Sequence, residues 1–161
     1  SSIIDGYKSE RLTLDLIKKK AVLAQNNEAI EDLSQINIPF QSWEELYYQR
    51  KWTAYYSHVK ASKKTFPKKL FEEWSNKWMS TFLEASATNL SEVTELNCPA
   101  YFFLSKKDLV ANYEISLQYF KQLNSDKKEI VWFTESTHEI PSQEPKKFSQ
   151  ELIKIALATG N

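Results

Sequence analysis

Two glycines, Gly6 and Gly160, stand in a chain of 161 residues, where average usage would place roughly 11. That scarcity excludes Gly-rich phosphate loops, whose turns need positive φ and close backbone approach to the ligand. Cysteine is nearly absent too. Cys98 is single, so it cannot close an internal disulfide, and the fold does not depend on oxidising surroundings. Beside Pro99, at the head of an apolar run, it reads as a small packing residue. Histidine occurs twice, at His58 and His138. With one thiol and no recurring ligand spacing, no metal site is expected, and no cofactor motif is present.

Charge of one sign is also lacking. Lys plus Arg and Asp plus Glu both total 21, for a formal net charge of zero. A nucleic-acid surface needs clustered positive excess, so no nucleic-acid partner is expected. The only basic cluster, "KKTFPKK" at 63–69, reads as a solvated helix start. No apolar run reaches 18 residues, which argues against a membrane span. No secretory leader is visible, although the chain opens on Ser1. The unpaired cysteine favours a cytoplasmic setting.

What is present divides into two grammars. From about residue 8 to 90 the periodicity is helical. "SERLTLDLIKKKAVLAQ" sets Leu12, Ile17, Val22 and Leu23 among charges, and "NNEAIEDLSQI" turns Ile30 and Leu33 inward. "SWEELYYQRKWTAYYSHV" opens with a capping box, Ser42 with Glu45 three positions on. Its Tyr48, Trp52 and Tyr55 keep helical spacing. "FPKKLFEEWSNKWMSTFLEA" starts with Pro67 in a first-turn position and repeats Phe71, Trp74, Trp78 and Phe82 at threes and fours. Most of Trp43, Tyr47, Tyr48, Trp52, Tyr55, Tyr56, Trp74 and Trp78 are expected to pack this helical part, leaving a few to line a pocket.

From residue 98 the pattern changes to short apolar runs alternating with helices: "CPAYFFLS", "NYEISLQYFKQL", "KKEIVWFTE" and "EPKKFSQELIKIALA". Uniformly apolar strands separated by helices indicate a parallel sheet covered on both faces. Two strands do not make such a sheet stable alone, so this part reads as the edge of something larger. The expected fold class is α/β. Residues 1–92 are expected to be a helical segment, and residues 93–161 a β-α-β-α unit with parallel strands.

The crossover between two such strands is right-handed, so their carboxyl ends open on one edge of the sheet, where open α/β sheets hold ligands. Neighbouring strands lie about 4.8 Å apart. Asp108 follows the first strand ("FFLSKKD") and His138 the second ("VWFTESTH") by similar offsets. Singly, the aspartate could cap the next helix and the histidine could be merely solvated. Jointly they suit a carboxylate that orients an imidazole and stabilises its protonated form, leaving the other ring nitrogen as a general base. His58 has no such partner pattern and reads as a loop or helix-end residue.

"CPAYFFLSKKDLVANYEISLQYFKQLNSDKKEIVWFTESTHEIPSQEPKKFSQEL" resembles the last two strands of an α/β-hydrolase. "SERLTLDLIKKKAVLAQNNEAIEDLSQINIPF" followed by "LYYQRKW" resembles the cap of proline iminopeptidase-like members. The resemblance implies a serine hydrolase acting on an N-terminal amide or small ester, with Asp108 as the acid and His138 as the base. Its partner would be a small-molecule or peptide substrate. Cap carboxylates would bind the substrate's amine, and several acidic positions are open for that role. The chain departs from the family where Ser105-Lys106-Lys107 replaces a glycine-bearing turn before the acid, and where Ala111-Asn112 stand near the position of a usual proline.

The fold's nucleophile lies on a Gly-x-Ser-x-Gly elbow, which this chain does not contain. The expectation is therefore a C-terminal portion, cap plus last two strands, inactive alone because the nucleophile lies upstream. An exposed strand edge invites pairing with another copy. A non-catalytic helical interaction module, and an esterase or epoxide-type hydrolase of the same fold, remain the alternatives.

Overall fold

The computed structural model describes residues 6–57, 67–87 and 92–159; His58 and most of the 63–69 basic cluster lie outside them. With glycine so scarce, the first helix is stopped by another residue. Helix α1 (Gly6–Leu23) ends where Gln25 adopts φ 51°, the left-handed conformation that glycine usually supplies. Asn26 N donates to Ala21 O and Gln25 N to Val22 O, both at 3.0 Å, which is the paired bonding of a Schellman cap. Asn26 then caps α2 (Asn27–Ser34), its side chain accepting from Ala29 N at 3.1 Å.

Helix α3 (Trp43–Tyr56) is capped as its sequence implies, Ser42 Oγ accepting from Glu45 N at 3.4 Å. The second half of the capping box is rewired. Glu45 accepts from Gln41 N at 2.8 Å and from the Asn37 amide at 2.9 Å, pinning the connection that leads into the helix. Helix α4 (Lys68–Ala87) begins one residue later than its proline suggested. Pro67 precedes it, its carbonyl accepting from Phe71 N.

These helices share one core of Leu14, Ile17, Ala21, Ala29, Leu33, Ile36, Phe40, Leu46, Trp52 and Tyr56. Each fully buried aliphatic in it, such as Ile17 or Leu33, stabilises by about 1.5–3 kcal/mol. Several expected faces differ. Ile30, expected inward, is 38% exposed, and Val22 and Leu23 lie at the open end of α1. Of the eight cap aromatics only Tyr47, Trp52 and Tyr56 are buried, while Tyr55, Trp74 and Trp78 are exposed. The cause is geometric: the main packing of α4 is against α1 and α3, and Trp74 and Trp78 do not point into that contact.

The rest is built on parallel strand pairs. Strand β2 (Ala100–Leu104) pairs with β4 (Lys128–Trp132), Ala100 opposite Lys128 through Leu104 opposite Trp132. Just before them, β1 (Glu95–Leu96) pairs with β3 (Asn124–Ser125), also parallel. The crossover is α5 (Tyr113–Gln122), and α6 (Ile140–Gln143) and α7 (Pro145–Thr159) follow β4. Alternation along β2 sends successive rings to opposite faces. Phe102 stacks on Phe120 of α5 at 5.3 Å, and Phe103 meets Phe148 of α7 at 5.5 Å. Lys128 Nζ donates to Phe120 O and Leu123 O at 2.8 and 2.7 Å, placing a cation on the carbonyl end of α5.

The architecture is thus mixed α/β in the broad sense, helices with short parallel strand pairs. Among the described residues neither outer edge of the β2–β4 ribbon is paired, and α7 buries no residue fully. Cys98, expected as packing, is exposed, since it lies in the turn before β2, where its carbonyl accepts from Ser125 Oγ at 2.7 Å. No described helix is long and apolar enough to cross a membrane.

Gln25→Gly is expected to raise stability by about 0.5–1 kcal/mol, since a non-glycine residue at positive φ carries strain that glycine does not. Thermal or urea denaturation of the two proteins checks this.

Candidate functional site

At the carboxyl end of β2 the chain makes a tight turn. Ser105, 2% exposed, accepts from Lys107 N at 3.1 Å through its hydroxyl, and its carbonyl accepts from Asp108 N at 3.3 Å. That delivers Asp108 with its two carboxylate oxygens divided. Oδ1 accepts from Val110 N at 2.8 Å and Ala111 N at 3.0 Å. Oδ2 faces His138 Nδ1 at 3.1 Å. The residue that caps α5 is Asn112, whose side chain accepts from Glu114 N at 2.8 Å. The aspartate therefore serves its own turn with one oxygen and the imidazole with the other.

The structure brings together the two residues singled out from sequence, thirty positions apart. A carboxylate only accepts hydrogen bonds, so Nδ1 is the donor and Nε2 is left free. The Asp108 side chain is 11% exposed and the His138 side chain 48%. The acid is sheltered while the ring opens to solvent, the disposition of an orienting carboxylate behind a working imidazole. The hydrogen bond to Asp108 raises the His138 pKa above the ordinary 6.5; burial works against it, the Asp108 and Glu139 charges add to it, and Arg50 opposes.

Arg50 belongs to a buried network on the cap side. Its guanidinium grips Glu10 by two nitrogens, Nη2 to Oε1 at 2.6 Å and Nη1 to Oε2 at 3.0 Å. Gln49 Nε2 donates to the same Glu10 Oε2 at 2.7 Å, and Arg50 also donates to Gln49 Oε1. Phe82 lies under the guanidinium at 5.6 Å. One residue before Glu10, Ser9 Oγ donates to Val110 O at 3.4 Å and accepts from Asn112 N at 3.2 Å. Leu109 packs into the helical core. Helix α1 is thus fastened to the loop that carries the acid.

Sequence reasoning missed Glu10, Gln49, Ser105, Ser136 and Glu144. The only signal for the last three was that small hydroxyl residues and a carboxylate flank strand ends; nothing local marked the first two. Among the described residues, no group of three or more His, Cys, Asp or Glu could hold a metal ion. No family model matches the chain, and no curated protein or solved structure does so either.

Glu10→Ala strands a guanidinium whose side chain is 16% exposed and is expected to lower stability by about 3 kcal/mol, measured by urea denaturation. Asp108→Asn keeps the oxygen that caps the turn and removes the charge facing the ring. His138 is expected to titrate lower in that variant than in the parent, where the Asp108 hydrogen bond and charge raise it, as read by NMR. Because the folded value is raised, the stabilisation from the pair is fully present below about pH 6.5 and is lost as pH rises through the folded value. The stability gap between parent and variant should close over that window.

Proposed function

We propose that this chain is the cap and last two strands of a serine hydrolase with the α/β-hydrolase fold, proline iminopeptidase-like. Its nucleophile would lie in sequence upstream of these residues. The observation that carries the reading is the 3.1 Å approach of His138 Nδ1 to Asp108 Oδ2 at the carboxyl ends of adjacent parallel strands. In such a mechanism Nε2 removes the proton from the attacking serine hydroxyl. The imidazolium that forms is stabilised by Asp108 and returns the proton to the leaving amine or alkoxide. A largely sheltered carboxylate and a half-open ring suit that division of work. The helical residues would roof the site, and further strands of the sheet would join at the edge of β2 that no described strand pairs. Pairing of a second copy along the same edge would give a homo-oligomer.

A second reading, a non-catalytic interaction module, is favoured by one observation: Leu70, Trp74 and Trp78 form an exposed stripe along α4. Fold alone does not select the chemistry, so an esterase or epoxide-type hydrolase of the same fold is the other alternative.

The test is the complete protein, expressed from the contiguous coding sequence and assayed on proline arylamides, p-nitrophenyl esters and epoxides. Turnover of the arylamides or esters blocked by serine-directed reagents is expected, falling roughly 10⁴-fold in Asp108→Asn and roughly 10⁶-fold in His138→Ala, with none from the 161 residues alone. Activity indifferent to both substitutions would refute the assignment.

A further inference from the structure

The turn carrying His138 has no regular structure, and a half-exposed imidazole on such a turn samples many orientations unless its backbone is held. The restraint comes from the α6–α7 junction. Glu144 Oε2 accepts from Glu135 N at 3.1 Å, Ser136 N at 2.8 Å and Ser136 Oγ at 2.5 Å. Gln143 Oε1 accepts from Thr137 N at 2.5 Å and Thr137 Oγ1 at 3.0 Å. From the opposite side Ser105 Oγ, in the turn before Asp108, donates to Ser136 O. Ser136 is wholly buried between these partners.

Two successive side chains therefore occupy the backbone donors of three successive residues, and the next residue is His138. The hydrogen-bond partner of the imidazole is Asp108, and neither of these two side chains. The Ser105 contact joins the histidine turn to the acid turn directly, so a shift of one is felt by the other. Lys107 and Glu135, paired at 3.3 Å across the same gap, are both well exposed and add little. The restraint thus falls on the Gln143 and Glu144 oxygens.

We propose that Gln143 and Glu144 are positioning residues for His138, their side-chain oxygens fixing the 135–137 backbone so that the imidazole stays within reach of Asp108. Ionised Glu144 is the competent form, because a carboxylate oxygen accepts hydrogen bonds more strongly than a neutral carboxyl. Burial pushes the Glu144 carboxyl up. The hydrogen bonds from Ser136 and Glu135, with the Lys147 ammonium, outweigh this and hold it below the usual carboxylate range. The clamp therefore operates at neutral pH. The proposal rests on the Asp108–His138 pair, and on the hydrolase reading only through it.

The experiment is the NMR titration of His138 in this chain, separated from His58 by a His58→Gln background. It compares the parent with Glu144→Ala, Glu144→Gln and Gln143→Ala, with amide spectra reporting the fold. The charges around the ring (Asp108, Glu139 and Arg50) are the same in all of them. In the folded variants His138 is expected to titrate closer to 6.5 than in the parent, and its Nδ1 proton to exchange faster. Glu144→Gln, which keeps one amide oxygen, should fall between parent and Glu144→Ala.

A merely structural role would lower the denaturation midpoint and leave the histidine titration of folded molecules unmoved, and that result overturns the proposal. Should Glu144→Ala fail to fold, Glu144→Gln and Gln143→Ala decide the matter by the same criterion. A parent that itself titrates at 6.5 removes the pair, and with it both this proposal and the hydrolase reading.

Discussion

The arrangement depends on the register between β2 and β4. Five residues of each strand pair in parallel, Leu104 reaching Trp132, and Phe133 N extends the ladder to Leu104 O at 2.8 Å. From those ends the two turns reach inward to one point. A slip of one residue would displace the turns by about 3.3 Å, more than a hydrogen bond can span. It would also send Phe103 to the face of Phe102, exchanging the rings presented to α5 and α7. Aromatic packing on both faces therefore protects the register, and the register sets the distance between carboxylate and imidazole.

The helical part is connected to that point and is more than a neighbour. Ser9 bonds to both Val110 and Asn112, Leu109 enters the helical core, and Arg50 is close enough to depress the affinity of His138 for its proton. Two effects oppose each other on the ring, and the nearer one prevails: the Asp108 contact is direct, whereas Arg50 is already engaged by Glu10. Burying Glu10 and Arg50 costs solvation that their attraction only offsets when geometry is good and further donors are satisfied. The two-point grip, with Gln49 adding another bond, meets that condition. It fixes where α1 lies on α3, and hence where Ser9 meets the acid loop.

Apolar surface is unevenly finished. Leu70, Trp74 and Trp78 along α4, and Leu152, Ile153 and Leu157 on α7, stay exposed. Both outer edges of the ribbon lack strand partners among the described residues. A parallel ribbon with alternating aromatic faces usually continues into a wider, doubly covered sheet. The contrast with the fully buried Ile17, Leu33 and Leu46 of the helical core shows where this chain satisfies itself and where it does not.

Local pattern alone settled much of this protein. Apolar runs at 100–104 and 128–132, the intervening helix, the Ser42 cap, and the placement of an acid and a histidine after successive strands all follow from neighbouring residues. Side-chain period and strand direction are short-range properties. Which helical faces are buried was decided only in three dimensions. Ile30, Trp74 and Trp78 have the right spacing yet stay exposed, because burial depends on what packs opposite. The polar framework was equally hidden. Glu10 finds Arg50 forty positions away, and Ser105 finds Ser136 thirty-one away. Such bonds are chosen by the meeting of distant segments, and no local periodicity encodes them.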